Sequence, residues 1–124
     1  MQITNGTDMI EVSRIEEAIE ENKESFLDKV YTKSEITYCE AKKIAKYQHY
    51  AGRFAAKEAI FKAISPFLEN KYDISWKNIE IINDEKGRPK VHFIGICFSK
   101  MQQIDVSISH LKEYATSTAV VMWK

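Results

Sequence analysis

The stretch RFAAKEAIFKAI, residues 53–64, decides the fold. Its apolar positions nearly encircle a helix, and a helix hydrophobic on all sides belongs inside a protein. Yet Arg53, Lys57, Glu58 and Lys62 sit among them. Ionised side chains are seldom buried unless paired or bound to something. At about 100° per residue, Ala55, Ala56, Ala59 and Ala63 form one contiguous face. Residues that small let the helix lie close against a sheet or a neighbouring helix. Arg53 and Lys57 share a second face, and Glu58 and Lys62 a third. These charges are either a solvated, salt-bridged stripe or the working groups of a site.

Upstream, TKSE (32–35) has the form of a capping box, with Thr32 as cap and Glu35 reaching back. From there to Ile64 the pattern is helical but too long for one helix, so a break is expected near residues 49–52. Before it, EVSRIEEAIEENKESFLDKVY (11–31) spaces Val12, Ile15, Ala18 and Ile19 on one face, with a break expected near Asn22. MQITNGTDMI (1–10) reads as a short strand entering a glycine turn. Downstream, Pro66 disfavours helical geometry at Ser65, and the vocabulary changes to strands. WKNIEIIN (76–83) and PKVHFIGI (89–96) flank the turn signal DEKGR (84–88). CFSKMQQI (97–104) reads as a short helix. DVSISH (105–110) and YATSTAVVMW (114–123) then form a hairpin through LKE. Helices first and antiparallel strands second define one α+β domain over residues 1–124.

Lys plus Arg equals Asp plus Glu, 18 against 18. That balance argues against nucleic-acid or membrane-surface binding, which draws on net positive charge, while leaving room for a small anionic ligand at a local cluster. Cys39 and Cys97 lack the spacing of a zinc site or a disulfide framework. The stretch MQITNGTDMIEVSR (1–14) lacks the basic start and long apolar run of a signal peptide, and no apolar run approaches the roughly 20 residues that span a bilayer. A cytoplasmic protein is expected.

Three further segments bear polar residues that are unremarkable singly. In GTDMIEVSR (6–14), Asp8 follows a glycine and reads by itself as a helix cap. NDEKGRPKV (83–91) reads as a hairpin, and SISH (107–110) ends a strand on His110. Together with residues 53–64, these segments resemble the holo-acyl-carrier-protein synthase family, the small bacterial 4′-phosphopantetheinyl transferases. The likeness runs from Ile3 to Met122. The family pattern G-x-D-x-x-x-x-x-R is met by Gly6, Asp8 and Arg14. The pattern F-x-x-K-E-A-x-x-K-A is met by Phe54, Lys57, Glu58, Ala59, Lys62 and Ala63.

The resemblance implies transfer of the 4′-phosphopantetheine arm of coenzyme A to a serine of apo acyl carrier protein, releasing adenosine 3′,5′-bisphosphate. It implies Mg²⁺ held by Asp8 and Glu58, a composition that suits an ion taking a few carboxylates plus substrate phosphates. Lys62 would neutralise a pyrophosphate oxygen. Arg53, Lys57 and His110 would bind coenzyme A phosphates, and Pro89 would line the adenine side. The general base would be Glu58 or a metal-bound water, because Leu111 follows His110 where some relatives carry a group able to take a proton. Arg14 would dock the carrier protein, although the rest of its helix is rich in glutamate and Lys42, Lys43 or Lys46 are possible helpers. The family assembles as a homotrimer with active sites between subunits. Trp76 and Trp123 suit either a core or such an interface. A non-catalytic coenzyme A-binding module, or an interaction domain with a charged stripe, would also carry these residue types. The presence of Asp8, Glu58 and Lys62 together favours the enzyme.

Overall fold

The computed structural model describes the backbone of residues 1–124 and every side chain except those of Lys23 and Lys71. The order of elements is β1 (Gln2–Glu11), α1 (Val12–Val30), α2 (Lys33–Glu40), α3 (Lys46–Ile64), β2 (Ile79–Asn83), β3 (Pro89–Phe93), β4 (Met101–His110) and β5 (Tyr114–Trp123). The strands form two sheets rather than one. β1, β5 and β4 make a three-stranded antiparallel sheet in that spatial order, and β2 and β3 form a separate hairpin. Single 3₁₀ turns, the last at Trp76–Asn78, connect α3 to β2. Among the described residues, no helix is long and apolar enough to cross a membrane.

α3 is the centre of the molecule. Its alanine face lies on the three-stranded sheet, where Ala56, Ala59, Ile60, Ala63 and Ile64 pack with Val106, Ala119, Val121 and Trp123. Its opposite side meets α1 and α2 through Tyr50 and Ala51, packed with Ile15, Ile19, Val30 and Cys39. The approach to the sheet is closest at Gly6. A Cβ built there would overlap the carbonyl oxygen of Ala59 and come within 2.9 Å of the Ala63 nitrogen. Gly6 therefore lies buried inside β1, not in a turn, because only a residue without a side chain lets the helix backbone touch the strand. Thr4 Oγ1 donates to the Ala63 carbonyl at 2.6 Å, and the Trp123 indole donates back to Thr4 Oγ1 at 2.8 Å.

Several expected boundaries move for identifiable reasons. α1 runs unbroken through Asn22, because Ile15, Ile19, Phe26 and Val30 keep one apolar stripe at four- and seven-residue spacing. The break before α3 falls at residues 41–45, where Lys43 takes a φ of 55°. Gly52 stays helical. It is a contact glycine, since a Cβ there would lie 2.9 Å from Ile108 Cγ2. The segment read as a helix at residues 97–104 holds no helix, and its second half begins β4. The capping box at Thr32 and Glu35 forms in full, and the hairpin at residues 84–88 closes through a left-handed Gly87 with φ of 82°.

Candidate active site

Arg53, Glu58 and Lys62 of α3 separate into two regions. On the open side, Lys62 Nζ donates to the Thr7 carbonyl at 2.8 Å and lies 3.3 Å from Asp8 Oδ1. β1 delivers Asp8 because the close seat at Gly6, two residues earlier, holds this strand against α3. Strand alternation then turns Asp8 to the helix side along with Thr4 and Gly6. Asp8 therefore belongs to the strand and caps no helix. Glu58 stands one turn before Lys62 and is half-buried. Burial first, then the negative charge of Asp8, raises its carboxyl above the usual range. The Trp76 indole N–H and the Lys62 ammonium pull it back down. That indole N–H is buried with no partner in hydrogen-bonding geometry, so its influence on Glu58 is one of proximity. Beside these groups runs an apolar groove of about 600 Å³, lined by Phe61, Leu68, Ile74 and Trp76 with Lys29 at its edge.

The second region is a smaller pocket of about 140 Å³ formed by Tyr38, His49, Gly52, Arg53, Asn83, Gly87, Pro89, Ile108 and His110. Arg53 is only 4% exposed. Its guanidinium carbon lies 4.0 Å above the Tyr38 ring centre, a cation–π stack. Its Nη2 donates to Asn83 Oδ1 at 3.3 Å, and Asn83 donates to the Tyr38 hydroxyl at 3.0 Å. The buried Nε has no partner. His110 closes the far wall, with Nδ1 at 3.0 Å from Gln48 Oε1. Arg53, Pro89 and His110 thus come together as expected, and they bring Tyr38, His49 and Asn83 with them. His49 was legible in principle: it stands one helical turn before Arg53, on the same face.

Lys57 is in neither region, which corrects its expected place among the phosphate contacts. Its side chain is fully buried. The ammonium donates to the Val30 carbonyl at 2.6 Å, Glu35 Oε1 at 2.7 Å and the Trp76 carbonyl at 3.1 Å. Three acceptors take all three N–H bonds of a protonated lysine, leaving none for a ligand. Burial draws its pKa down while Glu35 opposes the shift. Glu35 also accepts from the Thr32 and Ile81 backbone at 2.9 and 2.7 Å. One carboxylate therefore ties α2, β2 and α3 together.

The remaining expected residues lie at the surface. Arg14 is on the exposed first turn of α1, 3.3 Å from Glu11. Leu111 is exposed and carries no group that could take a proton. Among the described residues, no cluster of three or more His, Cys, Asp or Glu gathers as a complete metal cage. Two carboxylates at an open edge fit Mg²⁺ better than such a cage would, since this ion keeps waters and substrate oxygens in its shell.

Residues 5–119 match the model of the 4′-phosphopantetheinyl transferase superfamily. The holo-(acyl-carrier-protein) synthase of Ruminiclostridium cellulolyticum is 42% identical, the match covering 98% of this chain and 92% of that one. The Chlamydia felis protein of the same name is 40% identical over 94% of both. Among solved structures, the Bacillus anthracis holo-(acyl-carrier-protein) synthase in complex with CoA (3′,5′-ADP) superposes with a TM-score of 0.79 and 31% identity, covering 98% of this chain and 96% of that one. The Helicobacter pylori synthase in complex with coenzyme A gives 0.78 and 30%, covering 95% and 99%. The chain belongs to the 4′-phosphopantetheinyl transferase superfamily.

Proposed function

We propose that this protein transfers the 4′-phosphopantetheine group of coenzyme A to a serine of apo acyl carrier protein. The serine oxygen forms a bond to the phosphorus that bears pantetheine. The bond from that phosphorus to adenosine 3′,5′-bisphosphate breaks, and the bisphosphate leaves. The observation that carries this reading is the juxtaposition of Asp8, Glu58 and Lys62 at the β1–α3 contact, in a chain of this family. Transfer between phosphate esters needs charge neutralisation and positioning more than covalent help. Lys62 supplies a cation for a pyrophosphate oxygen. Asp8 and Glu58 would hold Mg²⁺, which when bound neutralises charge on the diphosphate. Glu58, half-buried beside the apolar groove, would accept the serine proton. Arg53 and His110 bind phosphate, Pro89 lines the base side, and the apolar groove beside Glu58 receives the pantetheine arm.

The two regions line separate cavities of one chain, which supports a site completed between subunits of a homotrimer. The outer face of the three-stranded sheet supports the same reading. Ile3, Met9 and Val120 are exposed there, beside a trough of about 380 Å³ lined by Gln103, Asp105, Ser107, Thr118 and Met122. Arg14 is the contact we assign to the carrier protein. Cys39 and Cys97 are free thiols, in keeping with a reducing cytoplasm. The direct test is to incubate the protein with coenzyme A, Mg²⁺ and an apo acyl carrier protein and weigh the carrier. A gain of one phosphopantetheine group, abolished by chelating the metal, is expected. An unchanged carrier mass would overturn the reading.

A further inference from the structure

His49 lies in the Arg53 pocket, and the reaction as described does not use it. Its ring meets His110 edge-on with centroids 4.8 Å apart, and Tyr38 at 5.6 Å. Among the described residues it has these ring neighbours and no hydrogen-bond partner. His110 is held differently, by Gln48 at Nδ1, which leaves Nε2 for a ligand. Arg53 is nearly enclosed, and its Nε is buried without an acceptor. A buried N–H without a partner is costly, so the pocket is complete only when an acceptor enters. At about 140 Å³, it admits one small group rather than a nucleotide.

The groups facing His49 are Tyr38 from α2, Lys42 from the turn that follows, Arg53 from α3 and His110 from β4. The β2–β3 hairpin contributes Asn83, Gly87 and Pro89 to the lining, and no carboxylate takes part. Burial, His110, Lys42 and Arg53 together lower the His49 pKa to about 4. Burial and Arg53 lower that of His110. Both rings are therefore neutral at pH 7 in the free protein. An entering dianion reverses the local potential that keeps them so.

We propose that His49 is a further substrate-binding residue: with His110 and Arg53 it receives a phosphate monoester of coenzyme A, and one solvent proton joins the imidazole pair as that phosphate binds. The inference rests on the reading of this chain as a user of coenzyme A. Only the proton moves. The phosphate stays intact, and the new imidazolium forms its counter-ion.

The test uses adenosine 3′,5′-bisphosphate and the intact chain. Calorimetry at pH 7 in two buffers of different ionisation heat counts protons, and NMR follows the His49 ring proton through a pH titration. Uptake of roughly half a proton is expected, with the loaded His49 titrating about three pH units above the free one. Binding should weaken roughly tenfold between pH 6 and pH 8. His49→Phe keeps an aromatic ring between Tyr38 and His110, and should flatten that profile and reduce the uptake. Binding without proton uptake, or a His49 resonance indifferent to the bisphosphate, would overturn the proposal. If the same protein still loads the carrier, the transfer reading stands without it. Proton-coupled binding by a chain that loads no carrier supports the pocket and overturns the transfer reading. Failure of the wild type to bind the bisphosphate overturns the proposal outright.

Discussion

Lys57 and Glu58 are neighbours in the chain and opposites in the molecule. Lys57 turns inward to a buried carboxylate and two carbonyls, with no exposed surface. Glu58 turns to the open edge where β1 brings a second carboxylate and Lys62 a cation. One peptide unit, about 100° of helical rotation, separates a charge that holds the fold from a charge that serves chemistry. Desolvation decides between them. A buried ion must have its partners supplied by the protein, whereas a half-buried one can wait for a ligand.

Substitutions on the two sides should therefore fail in different ways. The largest expected effect is on the inner side. Glu35→Ala strands the Lys57 ammonium and should cost about 3–5 kcal/mol, the range for breaking a buried pair. Urea unfolding measures it. A loss below about 1 kcal/mol, the range of an exposed pair, would mean that water reaches Lys57. On the outer side, Glu58→Gln should lower the transfer rate by roughly two to three orders of magnitude, the scale for losing one charge-stabilising group. Its urea midpoint should stay near that of the wild type. If instead this variant unfolds easily and retains turnover, the division between the neighbours is wrong.

The comparison sharpens when the open side is set against the Arg53 pocket. Glu58→Gln and His110→Ala chains should each be impaired alone. Co-expressed, they should recover about one quarter of the lost activity if each site draws its carboxylates from one subunit and its histidine from the next. A site within a single chain would recover none.

The smallest expected effect is on acid stability. In the unfolded chain a histidine titrates near 6.5, whereas folded His49 does so at about 4, and folded His110 also lies below the ordinary value. The unfolded state then binds more protons, so stability falls as pH drops from 6.5 toward 4 and is fully present above that window. Melting temperatures at pH 7 and pH 5 should show the drop, and His49→Phe should reduce it. An unchanged difference in that variant would place the acid sensitivity elsewhere.

Much of this was legible in the chain. The alanine face of residues 55–63 announced a close-packed helix, and the capping box at Thr32 and the turn at Gly87 formed where local chemistry put them. The pairing of Asp8 with residues on a helix some 50 positions later came from the motif and not from periodicity. The errors share a cause. Gly6 and Gly52 were read as turn and break because glycine loosens a chain locally. Both instead make room for another element, and the element lies far away in sequence. Lys57 was placed with the phosphate-binding cations by the family resemblance. Its partner Glu35, 22 residues away, was already visible as the far end of a capping box, but its second oxygen and its second task were not.

The residue pattern by itself determined that a nearly all-apolar helix would occupy the interior, and that its charges would need partners. Which charges face solvent and which are sealed was decided only in three dimensions. A helix specifies the angles between its own side chains, but the surfaces that cover each face come from strands and helices elsewhere. Whether water remains at a charge depends on that cover.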